Sequence, residues 1–179
     1  MTPALGGASQ SPEIASADGR RFDCFPIAVL VVVIDDDGRL LLLSRKGGRP
    51  GWQVIAGALE KGESVRDGAL REVREEAGAA VRVCPLGVAH ACSFVFEEVV
   101  REMVDVVYVM AYEGGEVVPS DGMRGAQVRW ATMEEVDEQQ LTANAPGELW
   151  LLQRALQVWR LWRDGDTDVD LEPYAVGGR

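Results

Sequence analysis

Cysteine and histidine are scarce in this sequence. Its 179 residues include three cysteines, Cys24, Cys84 and Cys92, and a single histidine, His90. The cysteines form no Cys-x-x-Cys pair, and the histidine has no spaced partner. Zinc sites and disulfide frameworks need several such residues at short spacings, so this pattern argues against both. It favours reduced thiols instead, and we expect a cytoplasmic protein.

Long apolar runs and an excess of positive charge are also missing. The longest apolar run, Ile27–Ile34, has the length of a buried strand and is too short for a membrane span. Only 18 basic residues stand against 29 acidic ones, which gives a formal net charge of −11. Such a chain repels a phosphate backbone, so polymeric nucleic acid is not expected as a partner. A small anionic substrate could bind only where a local cation reverses the negative electrostatic potential of the protein.

The order of the apolar segments predicts one α/β domain. Residues 1–20 are rich in small residues and are predicted to be a flexible leader, residues 21–163 the domain, and residues 164–179 an acidic tail. Strands are predicted at 26–34, 39–44, 52–55, 81–83, 88–96, 103–112 and 128–130, and helices at 64–77, 133–141 and about 144–163. The first two strands are expected to form a hairpin. This order indicates a mixed sheet between helical layers. The segment Arg21–Phe25 is a candidate for pairing with a second copy, so a homodimer is one hypothesis.

Three glutamates share one face of the predicted central helix. Ser64 is a suitable N-cap, and Gly78 is placed to end the helix in the left-handed conformation. At about 100° per residue, Glu72, Glu75 and Glu76 fall within an arc of about 100° beside the core-facing stripe. Carboxylates this close repel one another unless a cation joins them, and Mg²⁺ or Mn²⁺ prefers such oxygen ligands. A solvated, glutamate-rich helix face explains these three residues equally well when they are taken alone.

The residues around these glutamates form a longer pattern, GALEKGESVRDGALREVREEAGA at residues 57–79. This segment resembles the Nudix box, Gly-x5-Glu-x7-Arg-Glu-U-x-Glu-Glu-x-Gly-U, in which U is a bulky aliphatic residue. The matching positions are Gly57, Glu63, Arg71, Glu72, Val73, Glu75, Glu76 and Gly78. Only Ala79 departs, because it is smaller than the usual aliphatic residue. A chance match in a chain of this length is on the order of 10⁻⁷.

The resemblance implies the Nudix fold, an α/β/α sandwich around a mixed β-sheet. It also implies roles for single residues within the box. The implied catalytic metal ligands are Glu72, Glu75, Glu76 and the backbone carbonyl of Ala56, and the implied cofactor is Mg²⁺ or Mn²⁺. Glu63 and Arg71 would pair and hold the loop against the helix, with Gly57 and Gly78 as structural positions of the motif.

Substrate contacts outside the box rest on single residues. Arg45, with Lys46 as a weaker second, would bind the diphosphate, and Trp52 would stack on a base. Each has an ordinary alternative, a solvated loop charge or a packed aromatic ring. A further acid or base is expected beyond the box, but the segment before Trp130 offers Met123, Arg124 and Gln127. The remaining candidates are Glu97, Glu98, Glu102, Asp105, Asp121 and Glu72 itself.

The expected activity is hydrolysis of the diphosphate linkage in a nucleoside diphosphate joined to another group, with release of a nucleoside monophosphate. The small nucleotide substrate is left open between a nucleoside diphosphate sugar such as ADP-ribose and a nucleoside triphosphate. Two alternatives have no turnover. One is a nucleotide-sensing module with the same fold, and the other is an interaction protein with an acidic helix. The intact set of box glutamates favours the enzyme.

Overall fold

We describe the protein from a computed structural model, over residues 12–45, 47, 49–95, 102–139 and 146–164. The strands are β1 Glu13–Ala15, β2 Arg21–Asp23, β3 Ile27–Ile34, β4 Leu40–Ser44, β5 Trp52–Gln53, β6 Ile55–Ala58, β7 Arg82–Val95, β8 Glu102–Gly114 and β9 Val128–Ala131. The helices are α1 Val65–Glu72, which continues as a π-helical turn over Val73–Ala77, α2 Met133–Glu138 and α3 Pro146–Asp164. A 3₁₀ turn spans Asp121–Met123. No helix in these ranges is long and apolar enough to span a membrane.

Strand β3 lies in the middle of the main sheet. It pairs in parallel with β8 over its whole length, with Ile27 opposite Val104 at one end and Ile34 opposite Ala111 at the other. Its central and C-terminal side chains are largely buried. The β-branched apolar run of β3 suits such a position, because both faces of a parallel pair must be covered. The predicted buried strand is therefore confirmed.

The sheet is mixed, with the order β5-β4-β3-β8-β7, and β6 and β9 pair with β3 and β4. The turn predicted between β3 and β4 forms, but the two strands pair at a single position, Ile34 with Leu40. Strand β3 pairs instead with β6, and β4 with β9 along Leu40–Leu43. The expected hairpin is thus limited to its turn, where buried Asp35 accepts hydrogen bonds from the Arg39 backbone and side chain at 2.8 Å each.

Each face of this sheet is covered by a different helix. Val32 and Val107 pack with Leu152 and Trp159 of α3, while Val31 and its neighbours pack with α1. Alternate residues of one strand serve the two cores, because successive side chains of a strand point to opposite faces. The result is the predicted α/β/α sandwich, with the glutamate helix on one face and α3 on the other.

The N-terminal segment contains two short strands on either side of the predicted domain boundary. Strands β1 and β2 form a two-stranded antiparallel sheet in which Arg21 makes an ion pair with Glu13. The boundary predicted at residue 20 falls inside this hairpin, so residues 13–20 belong to a folded element. The pairing places Arg21–Asp23 beside Glu13–Ala15 of its own chain, and a homodimer stays a hypothesis. The rest of the leader, residues 1–11, and most of the predicted tail lie outside the described residues.

Candidate metal and catalytic site

The helix that carries the glutamates begins as the sequence predicts. The Ser64 hydroxyl oxygen accepts a hydrogen bond from the Asp67 backbone N–H at 3.1 Å, and it donates one to the Asp67 carboxylate at 2.7 Å. The end of the helix differs. After Glu72 the backbone widens into a π-helical turn, and Gly78 follows with φ 111° and ψ 149°. The positive φ predicted for Gly78 is present, but the backbone there is extended and not left-handed helical.

Two of the three carboxylates are buried beneath strand β6. Glu72 and Glu76 are 7% and 4% exposed, whereas the side chain of Glu75 is 41% exposed. A Cβ atom on Gly57 would lie 1.9 Å from the Glu72 Oε1, so only glycine permits this approach. The predicted placement of the acids beside the core-facing stripe agrees with the burial of Glu72 and Glu76.

The backbone of Ala56 faces the same cluster. Its N–H donates a hydrogen bond to the Glu76 Oε2 at 3.1 Å. The N–H and C=O of one strand residue point to the same edge, so the Ala56 carbonyl is also directed towards the helix. This orientation is the one that the carbonyl would need to act as a metal ligand.

Arg71 connects the helix, the loop before it and two of the glutamates. Its Nε and Nη2 donate to the two oxygens of Glu63 at 2.8 and 3.0 Å, and Nη2 also donates to the Ala58 carbonyl at 2.9 Å. Its Nη1 donates to Glu72 at 2.7 Å and to Glu75 at 2.9 Å. Hydrogen bonding by Arg71 holds the pKa of Glu63 below its usual range, and these carboxylates raise the pKa of Arg71. The predicted pairing of Glu63 with Arg71 is present.

The two predicted substrate residues lie in different places. Arg45 follows β4 and lines a cavity together with Met123 and Arg124. Trp52 packs against the core that α3 covers, on the sheet face opposite the glutamates, and the Arg129 guanidinium carbon lies 5.9 Å from its ring centre. The structure therefore does not bring Trp52 to the carboxylates, and the packing interpretation accounts for its position.

The candidate acids beyond the box lie on different elements of the fold. Asp105 alternates with Val106, which packs on the glutamate side, so its side chain points to the α3 side, where burial raises its pKa. Glu102 and Asp121 are exposed, and Glu97 and Glu98 lie outside the described residues. None of the described candidates outside the box makes a recorded contact with Glu72, Glu75 or Glu76.

Ser120 is a site residue that the sequence analysis missed. Its hydroxyl donates a hydrogen bond to the Glu75 carbonyl at 2.7 Å, and its N–H donates one to the Glu76 carbonyl at 3.4 Å. These bonds satisfy carbonyl groups of the π-helical turn and tie the segment before β9 to the glutamates. The contact joins residues 45 positions apart in the chain, and no local pattern predicts it.

Comparison with known proteins agrees with this geometry. The sequence profile of the NUDIX domain matches residues 25–154, well over half of the chain. The chain belongs to the Nudix family. It is accordingly a hydrolase of the group that acts on pyrophosphate bonds.

Named Nudix relatives cover the chain to different extents. A MutT-like protein of Streptomyces ambofaciens is 33% identical over 112 residues, which is 63% of this chain and 67% of the relative. Dihydroneopterin triphosphate diphosphatase of Escherichia coli is 40% identical over 52 residues, 28% of this chain and only 35% of that enzyme. A NUDIX-family hydrolase from Clostridium perfringens has the same fold, with a TM-score of 0.61 at 18% identity over 74% of this chain and 97% of the other.

The box residues of this Nudix protein suit a hard divalent cation. Glu72 and Glu76 are buried oxygen donors that lie against the Ala56–Gly57 backbone, and such donors are preferred by Mg²⁺ and Mn²⁺. Within the described ranges, no three acidic, histidine or cysteine side chains converge on one point. The Arg71 Nη1 atom contacts both Glu72 and Glu75.

Proposed function

We propose that this protein uses Mg²⁺ to hydrolyse the diphosphate linkage of a nucleoside diphosphate joined to another group, and releases a nucleoside monophosphate. The observation that carries the proposal is the burial of Glu72 and Glu76 against the Ala56–Gly57 backbone. Burying two carboxylates is costly unless a cation or hydrogen bonds compensate. The Ala56 N–H donates to Glu76 and Arg71 donates to Glu72, and a divalent cation at the cluster would add a compensating charge to both carboxylates.

Each residue of the cluster has a defined task. Glu72, Glu75, Glu76 and the Ala56 carbonyl would hold the metal ion, which offsets the charge of the diphosphate and polarises its phosphorus. Arg71 orients two of these carboxylates, and Glu63 keeps Arg71 in place. Water attacks one phosphorus, the bond to the bridging oxygen breaks, and a carboxylate of the cluster accepts the proton of the water. The products are two phosphate esters, or an ester and pyrophosphate for a triphosphate substrate.

The substrate class follows from the relatives in outline. Similar proteins carry names that refer to dihydroneopterin triphosphate, to ADP-ribose and to diadenosine tetraphosphate. All three compounds contain a phosphoanhydride linkage. We propose a small nucleotide of this kind, either a nucleoside triphosphate or a nucleoside diphosphate sugar such as ADP-ribose.

The test is a panel of nucleoside triphosphates and nucleoside diphosphate sugars with Mg²⁺ and with chromatographic identification of the products. We expect release of a nucleoside monophosphate from at least one compound, and a loss of about 100-fold or more in kcat/KM for Glu76→Gln and Glu75→Gln. Glu113→Gln, at an exposed position of β8, is the matched control. Unchanged rates in both box variants would disprove the metal assignment. Nucleotide binding without any product would support the sensing module instead.

A further inference from the structure

A second feature of the glutamate side of the sheet is a cavity of about 380 Å³. Its walls are the chain after β4, with Ser44 and Arg45, and the segment 122–127 that leads into β9. Two hydrogen bonds of 2.9 Å, from the Ser44 N–H to the Gln127 carbonyl and from the Gln127 N–H to the Ser44 hydroxyl, join these walls. The volume lies at the lower end of the range for small-molecule sites, about 300 to 1,000 Å³.

The segment that forms one wall of the cavity is tied to the backbone of the glutamate helix. Met123, which is 1% exposed, lies at its base and packs in the core beneath the glutamate helix. The 3₁₀ turn that contains Met123 follows Ser120, whose hydroxyl and N–H bind the carbonyls of Glu75 and Glu76. Met123 also contacts strand β5, where the Gln53 amide nitrogen lies 3.8 Å from its sulfur. Gln53 stands three positions before Ala56 in the chain. The cavity therefore lies on the same side of the sheet as the glutamates, and we infer that an extended molecule bound at the glutamates can reach it.

The charge of the cavity is opposite to that of the protein. The chain has a formal charge of −11, yet the charged side chains among the described residues of the wall are both arginines, Arg45 and Arg124. The Arg124 side chain is exposed, and its guanidinium makes no ion pair with any residue in the described part of the chain. An unpaired guanidinium beside a second one forms a local anion site, because planar N–H groups suit phosphate and carboxylate oxygens. This is also the segment in which the sequence analysis expected an acid.

We propose that Arg124, together with Arg45, binds an ionised group of the substrate other than the diphosphate that is cleaved, and thereby determines specificity. The proposal rests on the proposed function. The ligand is a phosphate-like dianion, such as the terminal phosphate of a triphosphate. The glutamates and their metal ion hold the reacting linkage, and the arginines hold the additional charge. A nucleoside diphosphate sugar has a neutral sugar in place of the terminal phosphate, so it lacks the charged contact with the two arginines.

The first test compares a nucleoside triphosphate with a nucleoside diphosphate sugar that carries the same base. We expect Arg124→Gln to lower kcat/KM for the triphosphate tenfold to hundredfold, about 1.4 to 2.8 kcal/mol, mainly through KM. The same variant should change kcat/KM for the sugar compound less than about threefold, and Arg124→Lys should recover part of the loss because it keeps the charge. Arg160→Gln, which removes one exposed positive charge on α3, is the control. Equal losses on both substrates would overturn the proposal.

The second test does not depend on turnover. Inorganic tripolyphosphate is titrated calorimetrically into wild-type protein, Arg124→Gln and Arg160→Gln in the presence of a chelator. We expect binding by the wild type and by Arg160→Gln, and affinity at least about tenfold weaker in Arg124→Gln. No binding by the wild type, or equal affinity in all three proteins, would overturn the proposal. If the wild type binds tripolyphosphate through Arg124 but cleaves no nucleotide, the proposed function fails and the anion site stands.

Discussion

Replacing Gly57 by alanine should strongly reduce activity while the protein still folds. A Cβ atom at this position would lie 1.9, 2.1 and 2.5 Å from the Oε1, Cδ and Oε2 atoms of Glu72. Carbon and oxygen atoms that are not bonded stay about 3 Å or more apart, so the carboxylate must move by about 1 Å or more. A displacement of about 1 Å in a reacting group costs on the order of 100-fold in rate. Overpacking of this kind also lowers the free energy of unfolding by about 1 to 3 kcal/mol.

Two measurements on Gly57→Ala separate these effects. The kcat/KM value with Mg²⁺ should fall about 100-fold, while urea denaturation should still show a cooperative transition with a lowered midpoint. Ala58→Ser adds one atom at the next, exposed position of β6 and should leave both quantities near the wild-type values. If Gly57→Ala keeps kcat/KM within about twofold of the wild type, the close approach of Glu72 to β6 has no catalytic importance and the argument from Gly57 fails.

Two further predictions concern stability. Hydrogen bonding by Arg71 lowers the pKa of Glu63 in the folded protein. The interaction therefore stabilises the fold fully above the unfolded-state pKa of about 4.3. This stabilisation is lost as the pH falls through the lower folded-state pKa. The difference in urea-unfolding free energy between wild type and Glu63→Gln should therefore shrink from about pH 6 to about pH 3, and a constant difference would contradict this. Gly78→Ala should lower the free energy of unfolding by about 1 to 3 kcal/mol, because its φ is 111° and the added Cβ would lie 2.7 Å from the Val118 carbonyl oxygen. Gly19→Ala, with positive φ but no atom within 4 Å, should cost less, and equal costs would show that the Val118 contact is unimportant.

Local signals predicted much of the fold. The apolar run of β3 and the N-cap Ser64 were read correctly because each depends on neighbouring residues. The pairing of β3 was not predicted. Its parallel partner β8 begins 75 positions after Ile27, and β6 takes the place expected for β4. Pairing between distant segments depends on the whole sheet, and a single run does not encode it.

The candidate site shows the same division. The Nudix box identified the glutamates and the Glu63–Arg71 pair, because their spacing is local. It did not predict the π-helical turn over Val73–Ala77, whose angle per residue differs from the assumed 100°. Within this turn Glu75 is partly exposed and Glu76 is buried. The sequence left base stacking and packing open as alternatives for Trp52, and the register of β4 with β5 places its ring in the core that α3 covers. Side-chain direction in a short strand follows from that register.

The most direct test of the central claim is binding of Mn²⁺, followed by electron paramagnetic resonance, to the wild type, Glu76→Gln and the control Glu113→Gln. Glu76 is 4% exposed and bonded to Ala56, whereas Glu113 is exposed. If the box glutamates hold the metal ion, the wild type and Glu113→Gln will bind Mn²⁺ with similar affinity, and Glu76→Gln will bind it at least about tenfold more weakly. Equal Mn²⁺ affinity in Glu76→Gln and the wild type would contradict the account.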